Sequence, residues 1–350
     1  MDSHSLVEAS SELVGRAGWT AAIKKSFGRR TLGQEEIVLA LAVCVFAVFS
    51  VALSGFLSLA NIIGLLRNAA VLGILSVGMA VVVIGRGIDL AQTTTMTITS
   101  ALAVVMLQHG LGTPAALGIG LLAAIAIGLF QGWVIAYIEI PPLFATLASA
   151  LFINGLGRWA FLNGQQLAYV PKTAGSYLSI GQSQVAGVPV PIIVFAAVAI
   201  AIGSFLSRTT TGRHIYAQGD NMDAARLTGL NVRVLLLLEY TICAVVALIA
   251  GVVLSASSTV VNTQLVSTSL IFDVILVVVV SGVSLHGGRG RIRGVVMATL
   301  LIGILLNGLT MMDVNTDVQN IVKGILLLGA ILLDNKLNPR DEETARQGDM

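Results

Sequence analysis

A short polar element interrupts two apolar stretches near residue 85. Gly85, Arg86 and Gly87 are followed by Asp89, and Gln92 opens a run rich in threonine. Glycine weakens a helix, and Asp89 with Gln92 three residues later has the spacing of a capping box. Two interpretations stay open. One is a broken helix whose N-terminus and hydroxyl groups line a polar path; the other is a plain cap followed by threonines that bond back to their own carbonyls.

A polar loop, 208–233, carries the second signal. Asp220 or Asn221 can cap a short helix there, and Gly229 can end it. Between the cap residues and Gly229, two alanines at 224–225 give the predicted helix a face of small side chains. The segment therefore predicts a short exposed helix suited to a partner's groove, and the alternative is an ordinary solvated loop.

Three ionisable residues, Glu239, Asp273 and Lys323, fall within apolar stretches. Such residues are costly in a membrane and are functional candidates, since an ion-driven carrier usually needs carboxylates near the midplane. Glu239 lies within two helical turns of Arg233, and Asp273 follows a polar segment. These positions favour interfacial or paired carboxylates over ion-coupling sites.

Motifs of catalysis are missing from the sequence. No lysine follows the glycine pattern of a P-loop, and there is no Gly-x-Ser-x-Gly elbow or His-Glu-x-x-His motif. Cys44 and Cys243 lie in apolar stretches, and the four histidines lack ligand spacing. We therefore expect no catalytic residue, no metal site and no disulfide, and we do not expect an enzyme.

Composition determines the class of protein. Of 350 residues, 56% are hydrophobic and only 11% are charged, against about 25% charged in an ordinary soluble domain. These values exclude a soluble globular enzyme and a disordered chain, and a net charge of +2 is too weak to indicate nucleic-acid binding. A transmembrane helix takes about 20 apolar residues, so we predict an all-α, polytopic membrane protein with about ten transmembrane helices. The predicted spans are 37–57, 68–85, 93–109, 114–138, 143–163, 189–207, 234–258, 265–283, 294–311 and 317–333.

Basic residues predict the orientation of these spans. Sixteen of the 20 Lys and Arg residues fall on one side when both termini are placed inside, which is the side that the positive-inside rule assigns to the cytoplasm. The predicted organisation is a cytoplasmic N-terminal segment 1–36, a transmembrane domain 37–334 and a cytoplasmic tail 335–350. Within the domain, 208–233 is a cytoplasmic loop and 164–188 an outer loop.

Five motifs join the loop 208–233 in one pattern. They are Gly85-Arg86-Gly87-Ile88-Asp89-Leu90-Ala91, Pro141-Pro142-Leu143-Phe144-Ala145-Thr146-Leu147, the glycine-rich Ser281–Gly290, Asn307-Gly308-Leu309 and Lys323-Gly324. Together they resemble the permease (transmembrane) subunits of bacterial carbohydrate ABC importers, a group that includes ribose, xylose, arabinose, galactose and autoinducer-2 permeases. The resemblance runs from about Asn61 to Asp334, and the segment from Asp223 to Gly229 resembles the opening of the EAA coupling loop without its Ile-x-Leu-Pro ending.

The resemblance implies an ABC importer permease fold with at least one broken helix. It implies a subunit that moves a sugar or sugar-like molecule into the cytoplasm across the bacterial plasma (inner) membrane. Expected partners are separate ABC ATPase subunits, which hold ATP and Mg, an extracytoplasmic solute-binding protein, membrane lipid and a second permease subunit, identical or similar. This chain itself is expected to bind no cofactor and no nucleic acid.

The resemblance also implies three groups of candidate residues. The ATPase-coupling loop comprises Gly212, Arg213, Asp223, Ala224, Ala225, Arg226 and Gly229. The substrate path or broken helix comprises Gly85, Arg86, Gly87, Asp89, Gln92, Thr93, Thr146 and Asn307. A second cytoplasmic loop comprises Ser284, Gly287, Gly288, Arg289 and Gly290.

The chain departs from the family pattern at three positions. Arg86 stands between the two glycines, Ala91 replaces a serine and Ser281 replaces a glycine. Arg86 leaves room for a charged or unusual polyol cargo, unless it faces the cytoplasm. The alternative function is an ion-gradient-driven secondary carrier of a small polar solute, which would use Glu239 or Asp273.

Overall fold

The computed structural model describes residues 34–264 and 270–337, with side chains from 35 to 332. Most of the predicted segments 1–36 and 335–350 therefore lies outside the described residues. The helices before the outer loop are α1 (Gln34–Ala52), α2 (Leu59–Ile84), α3 (Gln92–Gln108), α4 (Thr113–Tyr137) and α5 (Pro142–Leu162). Next come β1 (Leu167–Tyr169), α6 (Gly175–Gln182), β2 (Gln184–Val185), β3 (Val188–Pro189) and α7 (Val190–Arg208). The remaining elements are α8 (Thr210–Asp220), α9 (Met222–Leu227), α10 (Val232–Ser258), β4 (Val260–Asn262), α11 (Leu270–Val280), α12 (Ile292–Met311) and α13 (Thr316–Leu337).

The all-α, polytopic prediction is confirmed. Six described helices, namely α1, α2, α4, α7, α10 and α12, are long and apolar enough to cross a membrane. The count of ten is not established. The threonine-rich α3 has only 17 residues and the apolar α11 only 11, because polar and glycine-rich segments end both helices early.

Helix α2 begins earlier than predicted. The predicted span 68–85 starts after Arg67, whereas the helix starts at Leu59 and Ser58 caps it by accepting the Asn61 N–H at 3.3 Å. A single charge near a membrane interface does not stop a helix, since its long side chain can reach toward water. The prediction was wrong at this boundary for that reason.

Helix α10 is the central element and packs against α2, α3, α4 and α6. Two glycines of α4 allow its backbone to meet that of α10. A Cβ on Gly128 would lie 2.5 Å from the Thr241 Cα, and one on Gly132 would lie 2.7 Å from the Leu237 Cα. This Gly-x-x-x-Gly spacing therefore permits close helix packing in the way typical of membrane proteins.

The two ends of the helix bundle differ. We call the end where α2 and α7 finish and α10 and α12 begin the basic end, because Arg208, Arg213, Arg233, Arg291 and Arg293 lie there. The opposite end carries a small cap in which β1 pairs antiparallel with β4 and α6 packs on α10. The Tyr177 and Ser255 hydroxyls are hydrogen-bonded at 2.6 Å within this cap.

Candidate functional site

The polar element near residue 85 forms a non-helical segment between two buried helices. Helix α2 ends at Ile84, Gly85 is its C-cap, and α3 begins at Gln92. We call 85–91 the break segment. Arg86 is exposed with a φ of 74°, a left-handed conformation that costs a non-glycine residue about 1–2 kcal/mol.

The predicted capping box between Asp89 and Gln92 does not form. The N-cap of α3 is Ala91, which makes no side-chain cap bond. The Asp89 carboxylate accepts the Ala91 N–H at 2.9 Å, and the Gln92 amide donates to the Leu75 carbonyl at 2.8 Å. Gln92 turns toward α2 because a buried carbonyl is available there, so this part of the prediction was wrong.

Side chains from three helices hold the break segment. The Thr146 hydroxyl of α5 accepts the Leu90 N–H at 3.2 Å, and Gln131 of α4 donates to the Asp89 carboxylate at 3.4 Å. The Cys243 thiol of α10 lies beside the same carboxylate. Asp89 is fully buried, and its second oxygen has no hydrogen-bond partner among the described residues.

The hydroxyl groups that follow the break segment are buried. Those of Thr97, Thr99 and Ser100 donate to carbonyls three or four residues earlier, as the alternative interpretation expects. The hydroxyls of Thr94 and Thr95 have no partner within the described part of the chain. Helix α3 thus brings both satisfied and unsatisfied hydroxyls to the interior beside Asp89.

Three segments meet at the basic end, and we call this place the junction: the end of α2, the end of α8 and the loop 281–291. The Gly288 N–H donates to the Ile84 carbonyl at 2.9 Å. The Gln218 amide of α8 donates to the Gly85 carbonyl at 3.4 Å and to a Glu239 carboxylate oxygen at 3.1 Å. The candidate Gly288 therefore contacts the last residue of α2, just before the break segment. Gln218, which the sequence analysis did not single out, contacts the break segment itself at Gly85.

Glycines make these close contacts possible. A Cβ on Gly219 would overlap the Ile84 carbonyl oxygen, and one on Gly85 would overlap the Glu239 carboxylate. Gly287 and Gly288 have φ values of 85° and 69°, a region that glycine adopts without a side-chain clash. Backbone therefore meets backbone where Gly219 and Gly288 lie against α2 and α8, whereas at Gly85 the Glu239 carboxylate packs directly on the backbone.

The intramembrane carboxylates have partners. Asp273 and Lys323 form an ion pair at 2.9 Å, with side-chain exposures of 10% and 12%. Glu239 is fully buried and bonds to Gln218, while its second oxygen lacks a partner among the described residues. The pairing of Asp273 agrees with the sequence argument that favoured a paired carboxylate.

Loop 208–233 contains two helices, α8 and α9. Asn221 caps α9 by accepting the Ala224 N–H at 2.9 Å. At its other end the Leu230 N–H donates to the Ala225 carbonyl and the Gly229 N–H to the Arg226 carbonyl, which is a Schellman motif with Gly229 at a φ of 85°. The short helix thus has both of its expected ends.

The surface of α9 combines charge with one apolar side chain. Asp223 and Arg226 are exposed and lie 3.7 Å apart, and Ala225 is buried against the bundle. Leu227 is 89% exposed. A sequence reading focused on small and charged residues misses Leu227, although an apolar residue in a polar loop is the available signal.

Asn307 lies far from the break segment. Its side-chain amide exchanges two hydrogen bonds with Asn61, at 3.0 and 3.1 Å, near the start of α2. Helix α2 has 26 residues, which corresponds to about 39 Å at 1.5 Å per residue. The predicted path residues thus divide between the two ends of α2, with Asp89, Gln92, Thr93 and Thr146 buried near the basic end.

A polar segment that interrupts buried membrane helices is a feature of many membrane transport proteins. Within this class, the family described as the permease component of branched-chain amino acid transport systems matches residues 61–331, and the chain belongs to this family of ABC transporter permeases. Together with its six apolar helices, this membership makes it a multi-pass inner-membrane protein.

Curated relatives confirm the resemblance to carbohydrate ABC importer permeases. The chain is 31% identical to the ribose import permease protein RbsC of Escherichia coli (strain K12), over 91% of this chain and 98% of the relative. It is 31% identical to the xylose transport system permease protein XylH of Haemophilus influenzae, over 86% and 96%. For RbsC of Bacillus subtilis (strain 168) the identity is 33% over 80% and 86%. No solved structure matches the chain.

Proposed function

We propose that the chain is the transmembrane subunit of a binding-protein-dependent ABC importer that brings a sugar or sugar-like molecule into the cytoplasm. The observation that carries this proposal is the hydrogen bonding of Gln218 to both Gly85 and Glu239, because it joins a loop helix to the break segment. The ribose and xylose permeases among the relatives support the cargo class. In this proposal the basic end and both termini are cytoplasmic.

Separate ATPase subunits supply the energy. The exposed face of α9 presents Leu227 between charged neighbours, and an apolar anchor within a polar rim is typical of a docking helix. ATP and Mg bind to the partner, since the sequence lacks a P-loop of its own. The docked ATPases close on ATP, and α9 and α8 receive that motion.

The motion reaches the substrate path through the junction. Gly219 and Gln218 at the end of α8 contact Ile84 and Gly85, which lead directly into the segment that holds Asp89. A displacement of α8 must therefore move the break segment or break its hydrogen bonds. Because polar atoms of Asp89, Gln131 and Thr94 remain without partners among the described residues, they are available to a polar cargo.

The binding protein delivers its cargo at the opposite end. A hollow of about 180 Å³ lies there between α3, α10 and β4, with Thr97, Ser100, Ser255 and Asn262 among its lining residues. The Thr97, Ser100 and Ser255 hydroxyls donate to carbonyls of their own helices, so they are left to accept hydrogen bonds from a polyhydroxylated molecule. A second permease subunit, identical or similar, completes the membrane part of the transporter.

Co-purification of the ATPase with the tagged full chain tests this function. We expect Leu227→Asp to abolish co-purification, because it places a charge at the centre of the docking surface. The matched control is Val185→Asp in the opposite cap, where Val185 is also exposed. Retention of the ATPase by both variants would contradict docking on α9.

The carrier alternative makes a different prediction. It requires uptake that collapses with a protonophore and survives ATP depletion, whereas an ABC importer shows the reverse. The ion pair of Asp273 with Lys323 gives one of the two candidate carboxylates a structural role. Asp273→Asn should therefore leave the ATP dependence of uptake unchanged.

A further inference from the structure

A cavity of about 840 Å³ opens at the basic end between α7 and α12. Four of its lining residues are arginines from three neighbouring segments. Arg208 ends α7, Arg213 lies in the first turn of α8, and Arg291 and Arg293 lie at the start of α12. We call the part of the cavity lined by these four arginines its mouth, and there positive charges from separate parts of the chain lie close together.

No carboxylate lines this mouth in the described part of the chain. The ion pairs found among the described residues are those of Arg226 with Asp223, Arg233 with Glu139 and Lys323 with Asp273. The four arginines of the mouth form none of these pairs. Because like charges held together repel one another, an anionic ligand at the mouth is favoured.

The inner wall of the cavity is apolar. Ala199, Ile200 and Gly203 line it from α7, and Ile292 and Val296 line it from α12. Both helices are among those long and apolar enough to span the membrane, so this wall lies along the membrane part of the chain. Ser204 and Ser207 lie between the wall and the arginines and add hydroxyl groups.

Tyr216 forms the remaining side of the mouth. Its hydroxyl donates to the Gly290 carbonyl at 2.8 Å, which connects α8 to the loop before α12. Burial raises the pKa of this hydroxyl above its ordinary value, and Arg291 lowers it in part. The hydroxyl therefore stays protonated near neutral pH and fixes the position of the mouth relative to α12.

We propose that this cavity binds an anionic phospholipid, with its phosphate among Arg208, Arg213 and Arg291 and an acyl chain along the apolar wall. A free phosphate would use only the mouth, whereas the cavity combines a basic mouth with an apolar wall. Basic pockets between membrane helices on the cytoplasmic side bind anionic lipid head groups, and the proposed function assigns the basic end to that side. Since Arg213 belongs to α8, the lipid holds the start of the same helix whose end contacts the break segment.

Lipid binding by the purified full chain tests the proposal without transport or ATPase. The chain is delipidated in detergent and titrated with short-chain phosphatidylglycerol, and bound lipid is counted by native mass spectrometry. The test variant is Arg208→Gln with Arg291→Gln. The matched control is Arg226→Gln with Arg233→Gln, which removes the same charge at the same end outside the cavity.

We expect the control to bind like the unmodified chain and the test variant to bind about 30-fold more weakly, from about 1 kcal/mol per basic residue. An equal loss in both double variants would overturn the proposal, since general surface charge would then explain binding. Equal affinity for phosphatidylcholine would also overturn it. Full competition by inorganic phosphate would assign the mouth to a free anion instead.

A second variant tests the apolar wall with the charges intact. A Cβ on Gly203 would lie 3.6 Å from the Ile292 Cβ, so Gly203→Phe projects a ring into the space between the helices. Weaker phosphatidylglycerol binding with an unchanged melting temperature in detergent supports the proposed acyl chain position. Unchanged lipid binding in this variant contradicts that position. Because binding is measured on the isolated chain, loss of transport would leave either result unaffected.

Discussion

The junction at the basic end and the cap at the opposite end are held together in different ways. In the cap, β1 and β4 form three consecutive antiparallel residue pairs, from Leu167 with Asn262 to Tyr169 with Val260. In the junction, the Gln218 amide of α8 makes two hydrogen bonds, one to the break segment at 3.4 Å and one to α10 at 3.1 Å. The close contacts around it are made by glycines. A ladder of backbone bonds resists shear in the cap, whereas the junction has few hydrogen bonds to break when α8 is displaced. We therefore expect the junction to move during transport and the cap to keep its position.

The largest difference is expected between two variants, one with a glycine of the junction replaced and one with a glycine of the cap replaced. Alanine in a helix interior normally stabilises by up to about 1 kcal/mol relative to glycine. At Gly219 the added Cβ overlaps the Ile84 carbonyl oxygen, so Gly219→Ala should instead destabilise by about 1–3 kcal/mol and abolish most uptake. Thermal unfolding in detergent and uptake in vesicles measure the two effects.

The control for this prediction is Gly175→Ala in the cap, where a Cβ would meet no atom within 4 Å. It should leave stability and uptake close to those of the unmodified chain. If Gly219→Ala behaves like this control, α8 and α2 are not in backbone contact during transport.

An intermediate difference is expected for two glutamines. Gln218→Leu leaves Glu239 and the Gly85 carbonyl without their donor, which should cost about 1–3 kcal/mol of stability and weaken uptake more than ATPase co-purification. Gln182→Leu in the cap removes one bond, from the Gln182 amide to the Ala256 carbonyl at 3.1 Å. It should cost about 1 kcal/mol without changing uptake per folded molecule. Parallel loss of uptake in both variants would remove the distinction between the two regions.

The smallest difference is expected for two threonines. Thr146→Val removes the acceptor of the Leu90 N–H, and Thr263→Val removes a bond to the Gln166 carbonyl at 3.0 Å in the cap. Each should cost about 1 kcal/mol in unfolding free energy, but only Thr146→Val should raise the substrate concentration needed for half-maximal uptake. Uptake measured over a series of substrate concentrations, in vesicles that contain equal amounts of the chain, tests this prediction.

Local signals in the sequence were sufficient for some features and not for others. Hydropathy predicted the all-α membrane class because apolar length alone decides whether a helix can span the membrane. Gly229 predicted the end of α9, and the two candidates Asp220 and Asn221 predicted its start to within one residue, since a cap depends on neighbours within a few residues. Arg67 displaced the predicted start of α2, because charge alone does not say where a long side chain points.

The junction could not be predicted in the same way. Gln218 and its acceptor Gly85 are 133 residues apart, and no local pattern connects them. Gln92 failed as a capping residue for the same reason, since the Leu75 carbonyl competes for it from a neighbouring helix. Gln131 lies between Gly128 and Gly132, and no local pattern predicts its contact with Asp89.

Helix α8 connects two other helices, α7 and α2, through a contact near each of its ends. Its 11 residues correspond to about 16 Å. At one end Gly212 lies against the backbone of Leu206 in α7, and at the other Gly219 lies against Ile84 of α2. Because Gly212 and Gly219 place backbone against backbone, a displacement that reaches α8 through α9 can pass to the neighbouring helices without side-chain rearrangement at these two contacts. We therefore expect a displacement of α8 to move α2 and α7 at the same time rather than one after the other.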